Sequence, residues 1–449
     1  MGSLQALLGI ARDGLSAQAA GLEITSQNIS NANTPGYVRR VARFETVSHS
    51  LGVRTMTAGR TASQFTAQRV MAEAAKRGSA EARAGRLAGI EAIVAPETSG
   101  VRERLSAFMG DFSLLAANGA DAGARQVVLA DAQALAGTVR DTAEALQQQR
   151  GALLTDAHGV IAEINERTSK IAELNGQILR ATASGDAPSD LLDTRDNLVR
   201  EVVDRIGGTA LRSERGEVTL WVAGTTLVDG TSANALVLDT DTSDSLRLRT
   251  QAGSTLQADG LAGTYGGLRE VRDVDLPATQ ASLDTFAFEL ANRVNQAHRA
   301  GVGLDGVAGR DLFSTSPTAA GAAITLSVSA GMTDAKFIAA ASDPGKLPGG
   351  GDVATVIAGL ERAVVGGTSL GGLAAATPTE AGVRRAGAEQ ELALREDTLQ
   401  QADFQHSSVV GVSIDEEMIQ LSKFQQAYQA QSRALAVADE LLSDLMRQL

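Results

Sequence analysis

The sequence predicts a mainly α fold with β-containing outer parts, in which paired, coiled-coil-like N- and C-terminal helices carry nested inserted domains. Three observations lead there. Apolar residues recur at heptad spacing at the start of the chain and again at its end. Between those ends the period changes from helical to alternating and back. At 449 residues the chain is too long for one ordinary core, and its length suggests roughly three domains.

Leu4, Leu8, Ala11, Leu15, Gln18, Leu22, Thr25 and Ile29 alternate steps of four and three, a heptad seam with polar breaks at Gln18 and Thr25. At the other end Ile414, Leu421, Tyr428, Leu435, Leu442 and Leu449 recur every seven residues, with Met418, Phe424, Ala438 and Leu445 on the flank. A helix with such a stripe must bury it against something. Two of them at opposite termini can bury theirs against each other and project the rest of the chain as one long insertion.

That insertion begins helical. Residues 61–205 are rich in Ala, Glu, Arg, Gln and Leu, with breaks expected near Pro96–Gly100, Asn118–Gly123 and Gly185–Pro188. Within it Leu154, Ile161, Ile164, Ile171, Leu174 and Ile178 mark a long helix over 152–181. Glu217–Val228 is β-branched and alternating and precedes an Asp229-Gly230 turn, and Ala235–Leu238 and Leu246–Thr250 read as further strands. A helix returns at Ala278–His298. Residues 301–379 are rich in Gly, Ala and Thr, with a short strand expected at Ala323–Val328, and helix resumes from about Thr379. The expected division is a terminal helical domain (1–60 and 400–449), a helical second-shell domain (61–205, 262–300 and 380–399), a β-rich segment (206–261) and an outer mixed domain (301–379).

Composition narrows the function classes. The formal net charge is −13, which argues against nucleic acid and anionic membrane as partners. Aromatic residues make up 3%, too few to build a stacking platform, and the absence of cysteine removes disulfides, thiolate metal sites and cysteine nucleophiles. The first residues lack a basic segment ahead of a solid apolar block, Ala6 stands where a myristoylation motif wants Ser or Thr, and the uncharged stretch Leu312–Thr333 contains Pro317 and many polar residues. The expectation is a soluble chain, or one exported without a cleaved signal.

Four motif-like matches fail on their context. Gly301–Gly306 satisfies GxGxxG but follows a helix and enters a loop, the reverse of a dinucleotide site. Gly366 to Gly371 has phosphate-loop spacing, yet Gly372-Leu373 stands where Lys-Ser/Thr is required. Gly367-Thr368-Ser369-Leu370-Gly371 satisfies GxSxG, and Asp397 or Asp403 and then His406 follow in hydrolase order, but the motif needs a strand–elbow–helix in a parallel sheet and the preceding chain is mostly helical. His49, His158, His298 and His406 are isolated, with no metal-ligand spacing. Glu416 and Glu417 are adjacent on a helix and point apart, which suits stabilisation of its N-terminus better than acid–base work. No catalytic residue, cofactor or metal site is expected.

The run Gln27-Asn28-Ile29-Ser30-Asn31-Ala32-Asn33-Thr34-Pro35-Gly36-Tyr37 is a helix stop: Asn33 can take a left-handed conformation, Pro35 extends Thr34, and Gly36 is the residue most in need of a positive φ. This run closely resembles the N-terminal signature of the bacterial flagellar axial proteins (rod, hook and hook-associated proteins). Gly411–Met418, Phe424–Ala430 and Ala438–Leu442 resemble their C-terminal signature. Several features resemble the hook-associated members more than rod or hook subunits: Arg39 two residues after the turn, Asp415-Glu416-Glu417, Leu192–Leu198, Leu227–Gly230, Gly266–Glu270 and Asn292–His298. Val38 and Gln431-Ser432 depart from the family pattern, and the chain is short for it, so an outer domain of larger relatives is expected to be missing.

The resemblance implies a secreted structural adaptor that polymerises at the hook tip, where hook and filament join. It implies export without a cleaved signal peptide to the extracellular flagellum, and as partners the chain itself in a ring-like homo-oligomer, the hook protein, the next hook-associated protein on the filament side, and an export chaperone at the C-terminal region. The residues expected to carry assembly are Leu4, Leu8, Leu15, Leu22, Asn28, Asn31, Asn33, Thr34, Pro35, Gly36, Tyr37, Ile414, Leu421, Tyr428, Leu435, Leu442 and Leu449. The alternatives are another axial subunit or, from a different class, a serine hydrolase using Ser369.

Overall fold

The computed structural model describes residues 2–34, 37–46, 53–60, 63–96, 98–184, 188–213 and 215–448. Helix α1 (Gly2–Ser30) and the last helix, α11 (Ile414–Gln448), pack on each other, and the hairpin β1 (Arg40–Thr46) and β2 (Val53–Arg60) lies against α1. All other elements form the inserted body. Helix α2 (Gln64–Val94) starts where Ser63 Oγ accepts from the Thr66 N–H. Then come α3 (Val101–Ala117), α4 (Ala122–Ala183), whose first turn is capped by Asp121 Oδ1, and α5 (Ser189–Ile206). The three expected helix breaks fall at the changeovers among these four helices.

At about 1.5 Å per residue α4 is roughly 93 Å long, and it serves as a spine for two cores. The first gathers Leu87, Leu105, Phe108, Phe112, Leu135 and Phe286. The second lies farther along α4, where Ile161, Ile164 and Ile171 meet α5 and the small sheets. Those sheets are β3 (Thr209–Arg212), β4 (Val218–Val222), β5 (Thr225–Asp229) and β6 (Ser232–Ala233) in that order, antiparallel, and the pair β7 (Leu236–Thr240) and β8 (Leu246–Thr250). Alternation drives them: Val218, Leu220 and Val222 point inward while Trp221 is exposed.

Helix α6 (Gly263–Glu270) runs through one π turn, Val271–Asp275, into α7 (Leu276–Arg299). The π turn places the fully buried Asp275 carboxylate between two helices. Arg83 of α2 donates to both of its oxygens, at 2.9 and 3.0 Å, and Arg384 of α10 (Leu370–Val410) donates to one at 3.1 Å.

Two readings are corrected. Ala323–Val328, expected as a strand, is the short helix α8 (Ala322–Thr325) followed by two strand residues, β10 (Ser327–Val328), which pair with β9 (Phe313–Ser314). Asp284 accepts from the Gly321 and Ala323 N–H groups and so caps that helix turn. Helix α10, preceded by the short α9 (Asp352–Gly359), starts at Leu370 and not near Thr379. Ser369 caps it, and the chain stays helical through Pro378 and past residue 400 to Val410. Asn33 lies in the turn after α1, and the non-glycine residues of positive φ among those described are Ser99, Ala223 and Asp244.

The α3–α4 contact carries a titration. Asp111 Oδ2 is buried without a donor, and burial together with the neighbouring Asp131 carboxyl pushes the Asp111 carboxyl up to about 6. A carboxyl whose pKa rises on folding holds its proton more tightly in the native state. The contribution of Asp111 to stability is therefore fully present below the ordinary carboxylate range and is lost as pH rises through about 6. Asp111→Asn is expected to stabilise by about 1 kcal/mol at neutral pH, after discounting for solvent, and to be nearly neutral near pH 4. Melts at the two pH values check this; an equal effect at both contradicts it.

Candidate assembly interface of the terminal helices

Helices α1 and α11 are antiparallel, and their closest row has a seven-residue step on both. Gly14 faces Gln431, Gly21 faces Phe424, and Asn28 faces Glu417. A Cβ at Gly14 would stand 2.3 Å from Gln431 Oε1, and one at Gly21 2.8 Å from the Phe424 ring. Small residues here let the two backbones approach. Phe424 is also packed edge-on against Phe44 of β1, with centroids 6.1 Å apart.

This geometry corrects the expected seam. The buried face of α1 is Ala11, Gly14, Ala17, Gly21, Thr25 and Asn28, while Leu8, Leu15 and Leu22 are half-buried on its flank. On α11 the deepest residues are Glu417 and Ala438. Leu421 and Leu435 are half-buried, and Ile414 and Tyr428 are exposed. Leucine-to-leucine packing would hold the axes apart, and the glycines bring a neighbouring row into contact. Leu4 and Leu442 lie within the two helices, while Pro35, Gly36 and Leu449 fall outside the described residues.

Asn28 is the hub of the base of the pair. Its Nδ2 donates to the Arg40 carbonyl (2.8 Å) and to Glu417 Oε2 (2.9 Å), and its Oδ1 accepts from the Tyr37 hydroxyl (2.9 Å) and the Arg40 N–H (3.0 Å). All four hydrogen-bonding positions of the amide are filled. Glu417, 2% exposed, accepts from Arg39 Nε at 2.7 Å, and Arg39 also reaches Glu416 at 3.1 Å. A buried carboxylate is tolerated only when paired in this way. Burial holds the Tyr37 phenol above its ordinary value, so it remains a donor. Asn31 closes the helix end by donating to the Gln27 carbonyl and accepting from Thr34, whose own carbonyl takes the Tyr37 N–H at 3.1 Å. The turn run, Arg39 and the Glu416-Glu417 pair, separate in sequence, are thus one constellation.

The Leu192–Leu198 segment supplies the body's side of the junction. Asp193 and Asp190 meet Arg40, and the buried Arg195 donates to the Gly216 carbonyl and to Asp196, which also holds Arg212.

Among the described residues, Ile419 and Val437 of α11 are 57% and 56% exposed, and Met418 and Leu441 are also more than half exposed. A helix apolar on several sides is one built to be enclosed.

The decoy motifs resolve as structure. Ser369 and His406 sit at opposite ends of α10, roughly 55 Å apart at about 1.5 Å per residue, so they share no triad; His406 Nδ1 instead bonds Thr66 Oγ1 at 2.8 Å. Gly303 lies where a Cβ would meet the Lys336 carbonyl at 2.6 Å, in a loop that opens no helix. Among the described residues no group of His, Cys, Asp or Glu could hold a metal, and no helix is long and apolar enough to cross a membrane.

Comparison with known proteins gives three family matches: the flagellar hook-associated protein FlgK helical domain over residues 87–313, the flagellar basal body rod FlgEFG protein C-terminal region over 405–448, and the flagella basal body rod protein over 8–37. The flagellar hook-associated protein 1 of Salmonella typhimurium is 29% identical over 329 residues, covering 69% of this chain and 60% of the relative, so the chain matches less than two thirds of that relative's length. The Bacillus subtilis protein of the same name is 27% identical and matched over 98% of this chain and 97% of its own. The solved structure of the flagellar hook junction protein FlgK from Burkholderia pseudomallei shares the fold, with a TM-score of 0.68 at 17% identity over 76% of this chain and all of the other.

Proposed function

Because the chain belongs to the family of the flagellar hook-associated protein FlgK helical domain, we propose that it is a structural adaptor that polymerises at the hook tip and forms the hook–filament junction. The observation that carries this reading is the terminal helix pair. It is locked at its base by Asn28, Glu417 and Arg39 yet leaves Met418, Ile419, Val437 and Leu441 uncovered. In a ring of copies those side chains lie against neighbouring subunits, and each fully buried one contributes roughly 1.5–3 kcal/mol to assembly. The function is burial, and it requires no catalytic group.

In this reading the terminal unit lies at the tube axis, with the division from the body at Gly411–Ser413, where α10 gives way to α11. The body forms the outer shells. The partners are other copies of the chain, the hook protein on one side and the next hook-associated protein on the other. Export proceeds without a cleaved signal, and a chaperone shields the C-terminal helix before assembly. The match over 87–313 favours this over a rod or hook subunit.

The test is electron microscopy of flagella from a strain lacking the protein. Hooks without filaments, with filament protein shed into the medium, are expected. Filaments of normal length on such hooks would overturn the reading.

A further inference from the structure

His298, in the last turn of α7, is buried with both ring nitrogens in use. Its Nδ1 lies 2.7 Å from the Arg310 carbonyl oxygen, and its Nε2 lies 2.9 Å from the Ala339 nitrogen. A carbonyl only accepts and a backbone N–H only donates. These partners fix the ring as the neutral imidazole, protonated on Nδ1 and bare on Nε2.

A second buried side chain holds the same peptide unit. Arg125 of α4 donates through Nη1 to the Ile338 carbonyl, and its Nε and Nη2 reach the Gly119 carbonyl at 3.2 and 2.8 Å. The carbonyl and N–H of a trans peptide point in opposite directions, so α4 and α7 grip the Ile338–Ala339 unit from its two sides. Farther along, the Ala340 carbonyl accepts from the Val353 and Ala354 N–H groups at the start of α9, at 2.9 and 3.2 Å. The Ala341 carbonyl accepts from the Val302 N–H at 2.8 Å. Residues 338–341, all buried, thus form a strap that ties together α4, α7, α9 and the loop after α7. Of the two side chains that grip it, only the imidazole changes charge near neutral pH.

We propose that His298 is a pH-sensitive clasp: the neutral ring holds the strap closed, and a proton taken up at Nε2 opens it. The protonated nitrogen has no lone pair left for the Ala339 N–H, so two donors face each other. The new cation also shares one peptide unit with the buried Arg125 guanidinium. Burial above all holds the imidazole below its ordinary value, with Arg310 and Arg125 adding to the effect; the Arg310 carbonyl and the Asp311 carboxylate oppose it. Asp311 is itself paired with Arg299. Lys336, just before the strap, turns to Asp334, and Asp352 at the start of α9 is bonded to Ser342 and Lys346. The folded ring binds a proton less readily than the unfolded one. The clasp is therefore at full strength above the ordinary histidine range and weakens as pH falls through it. Asp111 acts with the opposite sign, so the strap itself is the place to measure and not the global melt.

Hydrogen exchange on the full-length protein, corrected for the intrinsic pH dependence of amide exchange, reads the strap directly. Protection of the Ala339, Val353 and Ala354 amides is expected to fall by up to tenfold per pH unit between about pH 6.5 and about pH 5. Peptides over residues 161–178 of α4, in the second core, keep theirs. His298→Gln offers the Ala339 N–H an amide oxygen that does not titrate, and is expected to hold protection level across that range. The chain has four histidines. With His49→Gln, His158→Gln and His406→Gln together, the one imidazole signal in the proton spectrum is that of His298, and it is expected to titrate below about 6.5. Strap protection in the parent that does not change with pH overturns the clasp. An equal loss in folded His298→Gln protein does so too, as does titration of the His298 signal at or above about 6.5.

Discussion

Asp275→Ala is expected to lower the unfolding free energy of the body by about 3 kcal/mol, the lower end of the range for removing one partner of a buried ion pair. The buried carboxylate takes three hydrogen bonds from Arg83 and Arg384, so its loss strands two cations between α2, α7 and α10. Both arginine side chains keep about a third of their surface in water, at 28% and 33%, which is why the upper end of the range is not reached. Asp275→Asn keeps the shape and one acceptor oxygen and is expected to cost less. Urea melts of the two variants beside the parent check the order. A loss below about 0.5 kcal/mol for the alanine variant, within the range of ordinary surface changes, would show that the clamp does not hold the body together.

The second large effect concerns the terminal pair. Asn28→Leu has a similar volume but removes four hydrogen bonds at once, leaving Glu417, the Tyr37 hydroxyl and both polar groups of the Arg40 peptide short of a partner. Each buried group left unsatisfied costs about 1–3 kcal/mol, so a loss of roughly 3 kcal/mol or more is expected even if the Arg40 peptide finds water. That loss falls on a two-helix unit. A pair of helices has a small reserve of stability of its own, so the cost unseats α11 from α1. The body has its own two cores and is expected to melt as in the parent.

Much of this architecture was legible in the sequence. The helix breaks lie where glycine, proline and asparagine cluster, and β7 and β8 lie where the period drops to two, because both signals act locally. The packing face of the terminal helices was not legible in the same way. Hydrophobicity marks leucines, whereas the close contact is made by Gly14 and Gly21, which have no side chain to mark them. Their seven-residue spacing to Asn28 was the available signal. Gln431 sits over Gly14, and Val38 is buried. The partnership of Arg39 with Glu417 spans 378 positions and shows only in three dimensions. Ala323–Val328 misled because a composition that suits a strand was claimed by Asp284 as a helix cap. Within the helix pair, the turn run and the acidic triplet meet at its base, while the residues in contact above them depend on how closely two backbones approach.

The most direct measurement of the central claim, that the locked terminal pair carries assembly while the body folds on its own, is electron microscopy of the deletion strain supplied with Asn28→Leu protein, together with a melt of that protein in purified form. The expected result is hooks without filaments and a body transition at the parent's temperature. Normal filaments on those hooks, produced by protein whose Asn28 junction is gone, would contradict it.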